Sequence, residues 1–233
     1  MGLFTAASTG RIAHTLRVAA HLLSYPDAAL RAHLTDLRDA LHAEGALSAS
    51  RIAELDALIE YIARTDVLET EAAYVELFDR GRSTSLHLFE HVHGDSRDRG
   101  PAMIDLAQTY EKAGLYLAPG ELPDFLPALL EFASTQPPKE ARALLAEMAH
   151  ILNAVFSALL QRQSGYASVL GALIELAGET AQAVTIAHDE PLDKSWAEPL
   201  AFDGCSSQGQ ARPGAVQPIH LVRKSSATEG VQP

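Results

Sequence analysis

The chain has 233 residues, 47% of them hydrophobic and 6% aromatic, with a formal net charge of -12 and a single cysteine, Cys205. One cysteine excludes an intramolecular disulfide and any cysteine-rich zinc or iron–sulfur centre, and the negative balance argues against binding a phosphate backbone. The mixture, rich in Ala and Leu, suits helices packed on helices better than a β-sandwich, and this length carries one well-packed domain, or one domain plus a tail.

Helical signals follow one another in chain order. Ile12, Leu16, Ala19, Leu22 and Leu23 give the spacing of one apolar helix face, ended by Ser24-Tyr25-Pro26. Asp27 stands at an N-cap position for a helix carrying Leu30, Leu34, Leu37 and Leu41, which stops near Gly45. Ser48 or Ser50 caps the next, with Ile52, Leu55, Leu58, Ile59 and Ile62 facing inward. A short helix holds Tyr74, Leu77 and Phe78 before Asp79-Arg80-Gly81-Arg82 breaks it, and Leu86, Phe89 and Val92 continue the pattern to Gly94. Asp95 is placed to cap the following helix, with Asp98 at its third position, Met103, Leu106 and Tyr110 buried, and an end near Gly114. After the turn Pro119–Pro123 come Leu126, Leu129, Leu130 and Phe132. Pro137-Pro138 then open one long helix through Leu144, Met148, Ile151, Leu152, Val155 and Leu159. Ser164-Gly165 separates it from a last helix ending near Gly178. The expected fold is all-α: a single helical-bundle domain over residues 1–188.

Beyond Asp189 the composition changes. Pro191, Pro199, Gly204, Gly209, Pro213, Gly214 and Pro218, with Ser and Gln between them, cannot build a core. Residues 189–233 therefore read as a disordered, mobile tail, in which only Trp196–Phe202 is apolar enough to dock back. No run of about 18 apolar residues is present to span a membrane. His14, Arg17 and His21 interrupt the N-terminal apolar run, so it lacks a signal-peptide core. Ala6 stands where a myristoylation site needs Ser or Thr. The expected location is the cytoplasm, without stable membrane insertion.

The segment His87-Leu88-Phe89-Glu90-His91 matches H-x-x-E-H, in which two His one helical turn apart hold zinc and Glu serves as base. A catalytic zinc also needs a third protein ligand, for which Glu147 and Glu175 are candidates, and such proteases rest on sheet-containing domains that this sequence does not predict. His93 lies roughly 240° around a helix from His87, so the three rings do not converge from one helix. The bland alternative is that these His are hydrogen-bonding groups on a half-exposed helix. Cys205 has only His220 nearby in sequence, and no glycine-rich phosphate loop or nucleophile elbow is present. The chain reads as a binding protein, not an enzyme, with a zinc hydrolase as the alternative and a membrane-surface adaptor using Arg11 and Arg17 as a third reading.

What remains is the charged run Asp79–Arg82 and Glu90–Gly100. It reads either as a network of ion pairs and caps bracing the helices, or as the polar rim of an apolar groove floored by Tyr74, Phe78 and Phe89. Such a groove would take an amphipathic helix. The two readings are compatible.

The strings Tyr74–Arg82 and Ser85–Gly100, with Ala102-Met103, Asp105-Leu106 and Glu121-Leu122-Pro123-Asp124-Phe125-Leu126-Pro127, resemble the signature of the NarJ-type nitrate reductase molybdenum cofactor assembly chaperones, or delta subunits. The resemblance covers about Leu22 to Phe202, and Asp193–Phe202 is similar to the family's acidic, Trp-containing ending. It implies the all-helical fold of the redox-enzyme maturation chaperones and a cytoplasmic protein with no catalytic residue, metal site or cofactor of its own. It also implies a partner: the N-terminal segment of the apo catalytic subunit of respiratory nitrate reductase, held open for molybdenum cofactor and iron–sulfur insertion before membrane assembly. Tyr74 and Phe78 fall on the Tyr-x-x-x-Phe positions of the wider class without the Gly-Pro of its other branches, which disfavours a twin-arginine signal as ligand. Together the groove reading and the resemblance make Tyr74, Phe78, Asp79, Arg80, His87, Phe89, Glu90, His91, His93, Asp95, Arg97 and Asp98 the candidate partner-binding residues.

Overall fold

A computed structural model describes residues 11–94 and 96–184, all within Met1–Asp189, the first of two units into which the chain divides. Asp95, and the expected tail with Trp196–Phe202, Cys205 and His220, lie outside the described residues. The architecture is helical: α1 Ala13–Leu22, α2 Ala28–Ala32, α3 Leu34–Glu44, α4 Ala49–Arg64, α5 Val67–Tyr74, α6 Leu88–Val92, α7 Arg99–Lys112, α8 Leu126–Thr135, α9 Pro138–Glu147, α10 Ala149–Gln161 and α11 Ala167–Leu176. A π-helical turn, Val75–Asp79, prolongs α5, and a 3-10 turn, Arg82–Thr84, follows it. No strand is present among the described residues, only an isolated antiparallel bridge between His87 and Phe125.

α11 is the axis of the bundle. Apart from Ser168 and Glu175 its sequence is apolar, and Val169, Leu170, Leu173, Ile174 and Leu176 are 0–1% exposed, as befits a helix surrounded by others. α10 and α4 pack along it, and α1 lies against α8 and α3. Leu16, Leu22, Leu41, Ile62, Leu130, Leu145, Leu152 and Leu159 are all at 2% exposure or less, each stabilising the fold by roughly 1.5–3 kcal/mol relative to an exposed side chain. Polar groups close the ends. Asp27 accepts from Leu30 N at 2.8 Å and Ser48 from Arg51 N at 3.4 Å, as their positions predict. The Glu44 carboxylate, at the end of α3, accepts from Thr15 N at 2.7 Å and caps α1 from a neighbouring helix. Arg142 donates to Leu176 O at 2.7 Å, satisfying a C-terminal carbonyl of α11.

Four expectations fail locally. The helix begun by Asp27 is broken at His33 (φ -105°, ψ 2°) into α2 and α3, because Arg31 ties α2 to the Thr65 carbonyl and Thr70 while α3 aligns with α1 and α4. The long helix after Pro138 bends by 65° at Met148, so that α9 follows α8 and α11 while α10 runs along α11. Leu86, Phe89 and Val92 do not share a helix face: Leu86 is buried ahead of the start of α6, whereas Val92 is 52% exposed. Asp98 is the N-cap residue of α7, not its third position, and of the three apolar residues expected to be buried in α7 only Tyr110 is fully so. No single described helix is long and apolar enough to cross a membrane.

Candidate functional site

Two segments far apart in sequence interlock. Leu88 N donates to Asp124 O at 3.0 Å and Leu126 N donates to Leu86 O at 2.9 Å, which pins the start of α6 to the start of α8. The Asp124 side chain sits at this joint and is 0% exposed. Its Oδ2 accepts from Phe89 N at 3.2 Å, so a carboxylate from the other segment does the capping for α6, which has no side-chain cap of its own. Its Oδ1 accepts from His87 Nδ1 at 3.2 Å, and Arg99 Nη2 lies 3.7 Å from Oδ2 and 3.6 Å from Glu90. A buried carboxylate is tolerable only when so surrounded.

The same bonds weigh against the zinc reading. His87 has extended backbone (φ -87°, ψ 103°) and stands outside α6, so His87 and His91 are not one turn apart on a helix. His87 Nδ1 is engaged by Asp124, and His91 Nε2 donates to the Ser85 carbonyl at 2.9 Å. No cluster of three His, Cys, Asp or Glu placed to hold a metal occurs among the described residues.

The hydrogen bond to Asp124 raises the His87 pKa above its ordinary value, burial lowers it, and the nearby carboxylates outweigh the opposing Arg99 charge. A raised folded-state value means that the contribution is fully present below the ordinary histidine value of about 6.5 and is lost as pH rises through the folded value. Urea midpoints of the parent and His87→Gln are therefore expected to differ most below that pH and to converge above it. A difference independent of pH from 5.5 to 8.5 would contradict the assignment.

Upstream, the π-helical turn carries Phe78 inward and leaves the Leu77 carbonyl to the Thr84 hydroxyl, which also donates to Gly81 O at 3.2 Å. Gly81 is buried where a Cβ would lie 2.5 Å from Leu77 O and 2.9 Å from Arg162 Nη1. A glycine is required there by close approach, since its φ of -92° is open to any residue.

Of the residues singled out from sequence, Tyr74 and Phe78 are 5% and 6% exposed. They are core side chains in an aromatic stack with Tyr166, and in this arrangement they floor no groove. Burial above all pushes the Tyr74 phenol far up, and its hydroxyl donates to Leu23 O at 2.7 Å. Phe89 is half-buried with its ring edge-on to His93 at 5.3 Å. Asp79, Arg80, Glu90, Arg97 and Asp98 are exposed, Arg80 pairing with Glu76 at 3.2 Å and Asp98 with the Ser96 hydroxyl at 3.3 Å. The fold thus brings His87 and Phe89 onto Asp124, links Glu90 to it through Arg99, turns His91 to the Ser85 carbonyl, places Arg80 on a different ion pair, and sinks the two aromatics. Asp124 stands inside the motif string 121–127 with no periodic signal of its own, and Tyr25 carries only the signal of a helix break.

The helical arrangement has a known counterpart. A crystal structure of a redox enzyme maturation protein from Archaeoglobus fulgidus superposes with a TM-score of 0.55 over 76% of this chain and 99% of that one, at 20% identity, which shows a shared fold. The nitrate reductase delta subunit family model matches residues 26–170, a span that includes both interlocked segments. The nitrate reductase molybdenum cofactor assembly chaperone NarJ of Escherichia coli K12 is 40% identical over 200 residues, covering 84% of each chain, and that of strain O157:H7 matches equally. The chain belongs to the nitrate reductase delta subunit family.

Proposed function

We propose that this chain is a dedicated chaperone of the catalytic subunit of respiratory nitrate reductase, engaging the N-terminal segment of the apo form. It keeps that subunit open for molybdenum cofactor and iron–sulfur insertion, acts in the cytoplasm before membrane assembly, and performs no catalysis itself. The observation that carries this reading is the family match across residues 26–170, which takes in the joint at Asp124. The joint supports it physically, because a buried carboxylate bracing two segments holds the exposed groups Glu90, Arg97 and Asp98 on a preformed surface. A preformed surface loses less conformational entropy on binding than a mobile one. The net charge of -12 favours a basic partner segment and sets its orientation, while apolar contacts supply most of the affinity. Cofactor and clusters are cargo of the client.

The deciding experiment is capture of the catalytic subunit by the tagged chain from cells with and without molybdenum cofactor synthesis. Enrichment of the apo subunit in cofactor-deficient cells is the expected result. Equal capture of the cofactor-loaded subunit, or no capture in either strain, would overturn the proposal.

A further inference from the structure

Two concavities lie on either side of Tyr25, on the face built by α1, α2, α3 and α5. One, of about 410 Å³, is bounded by His21, Leu30, His33, Asp36 and Leu37. The other, of about 370 Å³, is bounded by Leu68, Glu71, Ala72, Val75 and Glu76. Tyr25 lines both and is 45% exposed, so its ring forms the ridge between them. The ridge has a rigid base, because the ring packs edge-on against Tyr74 at 5.6 Å and Tyr74 is tied to the Leu23 carbonyl. Beside it Leu68 is 75% and Val67 41% exposed, a concentration of bare apolar surface of the kind that marks an interaction site.

The rim is acidic. Asp27, Asp36, Glu71 and Glu76 line the two hollows. Of the cationic groups there, Arg80 is paired with Glu76 and His33 sits 3.3 Å from Asp36, which leaves the balance negative. Partial burial, then the Glu71 carboxylate with Asp79 and Asp27, pushes the Tyr25 phenol above its ordinary value, in keeping with that field. The walls are helices, whose backbone groups are already bonded within each helix. A peptide lying here gains no ladder partners and must satisfy its own backbone, which an α-helix does and an extended strand does not.

We infer that this trough, with Tyr25 as its ridge, is the docking surface for a basic amphipathic helix. Apolar side chains of that helix fill the two concavities, and its cations face Asp27, Asp36, Glu71 and Glu76. The inference rests on the chaperone reading and names where the client's N-terminal segment lies, on the α1–α2–α3–α5 face, which leaves the preformed surface at Glu90, Arg97 and Asp98 to the rest of the client. Tyr74 and Phe78 then act from beneath, as the support for Tyr25.

The test is titration calorimetry of the full chain with a synthetic peptide of the N-terminal segment of the catalytic subunit, alongside capture of the full-length apo subunit. Two double variants alter exposed trough positions: Leu68→Glu with Ala72→Glu, and Asp36→Lys with Glu76→Lys. Circular dichroism and urea midpoints confirm that each is folded. Each is expected to weaken the peptide at least tenfold, and the parent affinity is expected to fall with added salt. If both variants bind within twofold of the parent, the trough is not the docking surface and the chaperone reading stands. If the parent binds neither peptide nor apo subunit, the chaperone reading falls and takes the trough with it. If the parent captures the apo subunit but not the peptide, the occupant named here is wrong.

Discussion

Replacing Asp124 with alanine is expected to destabilise the fold by about 2–4 kcal/mol, measured as a shift in urea unfolding with the native circular dichroism unchanged. Three losses add. The Phe89 N–H loses the acceptor that caps α6, the charge-assisted bond from His87 is removed, and Arg99 keeps only Glu90. His87 and Arg99 are 33% and 29% exposed, so water compensates them in part, which keeps the effect below that of a fully buried charge left alone. Asp124→Asn, which keeps the volume and one acceptor, is expected to lose about half as much. Hydrogen exchange localises the effect: the amides of Leu88, Phe89 and Leu126 should lose protection before those of α11. A loss under about 1 kcal/mol for Asp124→Ala would mean that the joint is held by backbone bonds alone.

Gly81→Ala is expected to destabilise by about 1–3 kcal/mol although it adds one methyl group. The added carbon would lie 2.5 Å from the Leu77 carbonyl, a backbone atom that cannot swing aside, and would overlap the Thr84 hydroxyl that bonds to that carbonyl. Relief requires movement of the π-helical turn, and with it Phe78, whose ring packs on Tyr74 at 4.8 Å. The same substitution at Gly45 or Gly120 meets no neighbour and acts only through positive φ, so those sites serve as comparisons for strain without overlap. Differential scanning calorimetry of the three variants separates the two causes. Gly81→Ala should be alone in lowering the intensity of the near-ultraviolet tyrosine signal, because it alone disturbs the stack.

The fate of the expected groove shows where sequence reasoning stops. Tyr74 and Phe78 were identified by their spacing, and that spacing is compatible equally with a core face and with an exposed one. Their burial depends on Leu23 and Tyr166, which lie 51 residues before Tyr74 and at the start of α11. Tyr25 carried no periodic signal because it sits between helices. Its exposure follows from how the ends of α1 and α5 meet. His87 and His91 carry a helical spacing, yet the backbone leaves the helix at His87 because Asp124 draws the chain into a bridge with residue 125.

Local chemistry settled the rest from sequence alone. The apolar periods located the helices, Asp27 and Ser48 marked two of their starts, and Gly45, Gly114 and Gly178 their ends at positive φ, because each of these is decided within a turn or two of chain. The length of the motif string likewise identified the family. Only the tertiary structure decided the breaks at His33 and Met148, where no Pro or Gly interrupts the helix and neighbouring helices dictate the direction. It alone joined residues 85–91 to 124–126, since a contact across that separation depends on how the intervening helices pack and leaves no period in the chain.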